Sequence, residues 1–154
     1  MGSEIRFVFD ANIFLSNAIP SDKFHDHALK LFRRIQELEE TGRIVRMVVP
    51  ANLYIEVNNV LRKRARQGLV KLETKTPERL GTISIYPIDS QFNDFLISHD
   101  LYAKFASLGS QDIIYAAIAW WERIPLVTMD AGFNKIQTEI ELINPAQSGL
   151  VWLG

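Results

Sequence analysis

An α/β fold on a mainly parallel sheet of four or five strands is what this sequence predicts, because β-branched, apolar runs alternate along it with amphipathic helical stretches. Its 154 residues are the length of one ordinary domain, enough to bury a real core. No internal repeat, low-complexity tract or long linker divides the chain. A single domain spanning 1–154 is the expectation.

The first strand is expected at 5–9, where Ile5-Arg6-Phe7-Val8-Phe9 concentrates branched and aromatic side chains. A short helix follows over 13–18. A longer one starts at Ser21, a favourable N-cap, and carries Phe24, Ala28, Leu31, Phe32, Ile35 and Leu38 at helical spacing until Gly42 stops it. The second strand covers 44–49. Pro50 suits the first turn of the next helix, whose apolar stripe is Leu53, Val57, Val60 and Leu61 and whose end is Gln67-Gly68. Residues 74–81 hold Thr, Pro and Gly and read as a surface loop; 82–88 alternate apolar and polar and suggest a short strand. One or two short helices fill 90–107, a helix spans 110–122, and 125–128 is a further strand. Val151-Trp152-Leu153-Gly154 is a candidate edge strand.

Composition narrows the function. No apolar run approaches the ~20 residues of a membrane span, so no membrane role is expected. The start of the chain lacks a basic-then-apolar leader pattern, and the absence of cysteine removes disulfides and thiolate metal sites. A cytoplasmic protein is the expectation. The net charge of -1 hides a basic stretch made of Arg62, Lys63, Arg64, Arg66, Lys71, Lys75 and Arg79, interrupted by Glu73 and Glu78. Arg33, Arg34, Arg43 and Arg46 form a second basic region. Local positive charge binds phosphate backbones whatever the overall balance; the competing reading is a solvated helix face.

Four acids carry the chemistry. Asp10 follows the first strand, Glu56 lies on the helix after the second, Asp112 opens the helix at 110–122, and Asp130 follows Pro125-Leu126-Val127-Thr128-Met129. In an open parallel sheet the carboxyl ends of the strands share one edge, and ligands bind in the crevice there. Chain order alone can therefore bring the four together. Like charges a few Å apart do not all stay ionised cheaply, and an all-oxygen donor set suits Mg²⁺ or Mn²⁺. Metal-dependent phosphoryl chemistry is the first hypothesis.

Each acid also has a local explanation. Asp10 suits a turn or an N-cap, and Asn12 either shares that turn or hydrogen-bonds a metal-bound water. Glu56 borders its helix's apolar stripe, from where it either escapes to solvent or pairs with an Arg. Asp112 sits in the first turn of a helix capped by Ser110, where the dipole favours a negative charge by ~0.3–1 kcal/mol. Against that, Ile113 to Trp121 is apolar all round, so the helix is buried and its head faces a crevice. Asp130 suits a strand-end turn with Gly132. The joint placement of all four is what points to a site.

The ordered set resembles the PIN-domain family, of the VapC-like ribonuclease type. The matching residues are Phe7-Val8-Phe9-Asp10-Ala11-Asn12, Glu56, Gly109-Ser110-Gln111-Asp112, and Val127-Thr128-Met129-Asp130 with Phe133. The resemblance implies a three-layer α/β/α fold in which Asp10, Glu56, Asp112 and Asp130 bind one or two Mg²⁺ or Mn²⁺ ions and hydrolyse phosphodiesters, mostly in RNA. It also implies that Thr128, Asn12 and Ser110 support those acids by hydrogen bonding. Arg62, Arg64 and Arg66 are the candidate RNA contacts in the basic stretch. VapC-like proteins commonly act as toxins held by a small antitoxin, and many are homodimers, so both partners are expected here.

No Ser/His/Asp set competes with this chemistry. His25 and His27, two apart on a helix, point to different faces and read as solvated; His99, after a candidate N-cap Ser98, reads as structural. A haloacid-dehalogenase-like phosphatase also places an Asp after its first strand but wants a second Asp two residues on, where this chain has Asn12. A non-catalytic nucleic-acid-binding or interaction module on the same fold would be signalled by a missing acid, and none is missing.

Overall fold

The structure, a computed structural model, describes residues 2–68 and 82–154. Among these residues five strands form one all-parallel sheet: β1 (Glu4–Phe9), β2 (Ile44–Pro50), β3 (Thr82–Tyr86), β4 (Leu126–Val127) and β5 (Leu142–Ile143). Their order is β3-β2-β1-β4-β5. The chain builds outward from β1 in one direction through β2 and β3, then returns to its other side with β4 and β5. The reversal falls between β1 and β4, the place where open α/β sheets bind ligands.

The central strands are buried on both faces. Val45, Met47, Val48 and Val49 of β2 are all buried, as are Phe7, Val8 and Phe9 of β1, so the two-residue alternation of a half-exposed strand is absent. Helices α1 (Ala11–Ala18), α2 (His25–Glu40), α3 (Leu53–Arg66), α4 (Ser90–Ser98), α5 (Leu101–Lys104), α6 (Ser110–Glu122) and α7 (Pro145–Ser148) cover the sheet on both sides, giving three layers. Helix α6 is the most deeply set: Tyr115, Ala116, Ala117 and Ile118 are fully buried. Its small alanines let it lie close against β1, β2 and β4.

Several boundaries differ from those read in the sequence. The long helix begins at His25, not Ser21, because Asp22 organises the preceding turn: its Oδ1 accepts from the Phe24 backbone N–H at 2.8 Å and from Ser16 Oγ at 3.0 Å. Pro50 closes β2 opposite Tyr86 of β3, and the helix starts after Asn52. Gly42 ends α2 as expected, with a positive φ of 86° that a side chain would strain. The N-cap of α6 is Gly109, so Ser110 is inside the helix; Ser98 is the last residue of α4, not a cap for a following helix. Residues 151–153 form a 3₁₀ turn, and the edge strand is β5 at Leu142–Ile143. The strand at 82–86 and the two helices within 90–107 stand where the sequence put them. The loop expected at 74–81 lies outside the described residues, as do Lys71, Lys75 and Arg79.

Candidate active site

Asp10 leaves the end of β1 and is buried, with only 5% of its surface exposed. It occupies the N-cap position of α1 but bonds no backbone N–H of that helix. Its Oδ2 accepts instead from Thr128 Oγ1, 2.8 Å away at the end of β4. Capping is therefore not what holds this acid. The same Thr128 hydroxyl oxygen accepts from the Asp130 backbone N–H at 3.0 Å and from Asn12 Nδ2 at 3.2 Å. Asn12 Oδ1 in turn accepts from the Met129 N–H at 3.4 Å. One buried hydroxyl thus fastens β1 to β4 across the point where strand order reverses.

Glu56 stands in the first turn of α3, half-buried. It forms no ion pair with an arginine among the described residues; its Oε2 accepts from Tyr115 Oη at 2.9 Å. Asp112 lies in the first turn of α6, and Asp130 heads the 3₁₀ turn after β4. Asp130 does perform the turn role: its Oδ1 accepts from the Gly132 N–H at 2.8 Å. Nearby, Asn52 Nδ2 donates to Gln111 Oε1 at 2.8 Å, tying the heads of α3 and α6 together.

The charges of these acids act on one another's neighbours. Burial first, then the charges of Asp112, Glu56 and Asp130, push the Asp10 carboxyl up to about 7, against a hydrogen bond from Thr128 that lowers it. Glu56 is raised by burial and by Asp112, with Tyr115 opposing. Asp112 is raised by burial and by Asp130. Four segments far apart in sequence therefore deliver their carboxylates to one neighbourhood. Among the described residues no cationic side chain contributes to any of these shifts.

These donors suit a particular kind of cation. All are carboxylate oxygens, and the cluster gains most from an ion that cancels mutual repulsion. Among the described residues no three His, Asp or Glu side chains close into a coordination cage.

The remaining predicted residues are dispersed. Ser110 is exposed at the head of α6 and makes no bond to the acids. Arg62, Arg64 and Arg66 are exposed near the end of α3, but helical periodicity puts Arg62 and Arg66 on one face and Arg64 on another. Lys63, seven residues after Glu56, shares the face of that acid. The second basic region is partly neutralised: Arg46 pairs with Glu4 through two bonds of 2.8 and 2.9 Å, and Arg34 with Glu37 at 3.1 Å. His25 is not simply solvated, because its Nδ1 lies 2.8 Å from the Ser16 carbonyl oxygen. His99 packs edge-on against Trp120 and Trp121 and at a tilt against Phe95, as a structural residue would. Tyr115 escaped the sequence reading because it sits in a helix apolar all round. Its position one turn after Asp112, and the need of a buried phenol for a partner, are the signals that find it.

The raised carboxyl of Asp10 makes stability pH-dependent. Unfolded, the group loses its proton near 3.8; folded, near 7. Between those values the folded chain binds more protons, so this group's contribution is full below about 3.8 and is lost as pH rises through about 7. The loss is on the order of 4 kcal/mol. In chelator, the wild type is expected to melt higher at pH 5 than at pH 8, and Asp10→Asn to show a flatter profile. Parallel profiles for the two proteins would contradict the buried, crowded environment assigned to Asp10.

Comparison with known proteins agrees with this architecture. The PIN domain family model matches residues 7–139, which include all four acids. Among curated proteins, none matches. A solved structure of VapBC2 from Rickettsia felis, bound to a DNA fragment from their promoter, superposes with a TM-score of 0.57 at 17% identity, covering 91% of this chain and 98% of the other. At that identity the likeness shows a shared fold. Members of the matching family are generally nucleases. The chain belongs to the PIN domain family.

Proposed function

We propose that the protein is a Mg²⁺- or Mn²⁺-dependent endoribonuclease, with Asp10, Glu56, Asp112 and Asp130 as its acidic ligand set. The observation that supports this reading is the approach of four carboxylate charges at the switch point of the sheet, with no cationic side chain among the described residues contributing to the raised pKa values. Bound there, a divalent ion would supply Lewis-acid activation of water and offset charge on the phosphate oxygens. The chain's own residues prepare the site. Thr128 and Asn12 hold Asp10 against the end of β4, the Asn52–Gln111 bond fixes the heads of α3 and α6, and Gly132 orients Asp130. Burial of Asp10 excludes bulk water from one side of the cluster.

Arg62, Arg64 and Arg66, with Lys63 on the face of Glu56, are suited to hold the phosphate backbone of single-stranded or loop RNA on the approach to the acids. The resemblance to VapC-like proteins supports a toxin role restrained by a small antitoxin, and a homodimer as the working assembly. Among the described residues no helix is long and apolar enough to cross a membrane.

Cleavage of mixed RNAs assayed with Mg²⁺, Mn²⁺ and EDTA tests the chemistry. Asp10→Asn and Asp112→Asn are each expected to lower the rate by orders of magnitude, because residues acting as a unit fail together. Full activity in EDTA, or in Asp112→Asn, would sink the metal-nuclease reading.

The basic face is tested separately by salt. Replacing Arg62 and Arg66 by Ala should weaken RNA binding about equally across sequences and flatten the log–log salt dependence by roughly 0.7 for each lost contact. An unchanged slope returns both to ordinary solvated side chains.

A further inference from the structure

Tyr115 is a fully buried phenol on α6. Its hydroxyl donates to Glu56 Oε2 at 2.9 Å. One side chain of α6 therefore fastens Glu56 on α3. Burial and the neighbouring charges of Glu56 and Asp10 hold the phenol protonated. It is always a donor toward Glu56 and never a rival anion.

The consequence concerns oxygen atoms. Tyr115 occupies Oε2 of Glu56, Thr128 occupies Oδ2 of Asp10, and the Gly132 N–H occupies Oδ1 of Asp130. In each of these three carboxylates one oxygen is engaged by a protein donor, and the other accepts no hydrogen bond among the described residues. A carboxylate held in this way turns one oxygen toward its protein donor and presents chiefly the other to a cation. Mg²⁺ and Mn²⁺ accept that readily, whereas Ca²⁺ seeks a larger shell and commonly takes both oxygens of a Glu.

We propose that Tyr115 is a positioning residue that makes Glu56 a one-oxygen ligand and thereby biases the site toward small divalent cations and against Ca²⁺. This rests on the metal-nuclease reading above. Tyr115 touches no reacting atom; it acts through Glu56 by a hydrogen bond that orients the carboxylate, and such outer-shell partners typically carry 10–100-fold of metal affinity.

The test is binding of the metals alone, without RNA, measured by calorimetry with Mn²⁺, Mg²⁺ and Ca²⁺. Wild type is expected to bind Mn²⁺ more tightly than Ca²⁺. Tyr115→Phe should lose about tenfold in Mn²⁺ affinity and less for Ca²⁺, narrowing the ratio. A folded Tyr115→Phe with an unchanged ratio overturns the inference, and so does an equal loss for both ions, the mark of a merely structural role. Incorporating 3-fluorotyrosine at position 115 keeps the ring's shape while strengthening the phenol as a donor, so the experiment survives a Tyr115→Phe protein that does not fold. There the ratio should widen, and an unchanged or narrower ratio overturns the inference. Glu56→Gln separates the two levels of argument. If wild type and Glu56→Gln bind Mn²⁺ alike, the acidic-site reading fails; if Glu56→Gln loses binding while Tyr115→Phe keeps the wild-type ratio, the role given to Tyr115 fails alone.

Discussion

The cost of keeping carboxylates charged at the carboxyl edge of the sheet is the constraint around which this molecule is arranged. Burial, and then repulsion among acids arriving from four segments, disfavours the ionised forms of Asp10, Glu56 and Asp112, with Asp130 among the charges that repel. A fold tolerates such a cluster only if the rest of the structure holds the carboxylates in place. Here the holding is done by an all-parallel sheet covered on both faces, whose core residues on β1 and β2 are shielded from water. The strain sits at the switch between β1 and β4, and function follows from where it sits.

The polar atoms that secure the cluster are few. Thr128 joins Asp10, Asn12 and the Asp130 backbone in one buried network, so β1 and β4 are fixed to each other at the site itself. Tyr115 does the corresponding work between α6 and α3. Hydroxyls suit this task because they lower a carboxylate's tendency to take a proton without cancelling its charge. An arginine in the same place would neutralise the acid and remove the reason for a cation to bind.

Much of this was legible in the sequence, and the failures have physical causes. The runs Phe7-Val8-Phe9 and Met47-Val48-Val49 announce covered parallel strands because burial on both faces demands continuous apolar character. All four acids were visible because each follows a strand or opens a helix. Pro50 was misplaced because its role depends on β3, a pairing that no local pattern encodes. The edge strand was missed because Leu142–Ile143 is only two residues long, too short for any periodicity, while the apolar tail at 151–153 curls into a 3₁₀ turn. Tyr115 was hidden by its own neighbours, since an apolar helix reads as core whichever of its residues carries a hydroxyl. The three arginines looked like one patch in the sequence because the eye counts neighbours, whereas a helix sends Arg64 away from Arg62 and Arg66.

Convergence of the acids is the central claim, and melting curves test it without any substrate. Wild type and Asp112→Asn would be compared in chelator and with Mn²⁺. If the carboxylates meet, Mn²⁺ stabilises wild type by ~2.7 kcal/mol at a hundredfold excess over Kd. Removing one negative charge relieves repulsion, so chelated Asp112→Asn melts no lower than chelated wild type and loses most of the response to Mn²⁺. The opposite result, a lower melting temperature for chelated Asp112→Asn together with no effect of Mn²⁺ on wild type, would mean that Asp112 serves only the dipole of its helix and that the four acids do not act together.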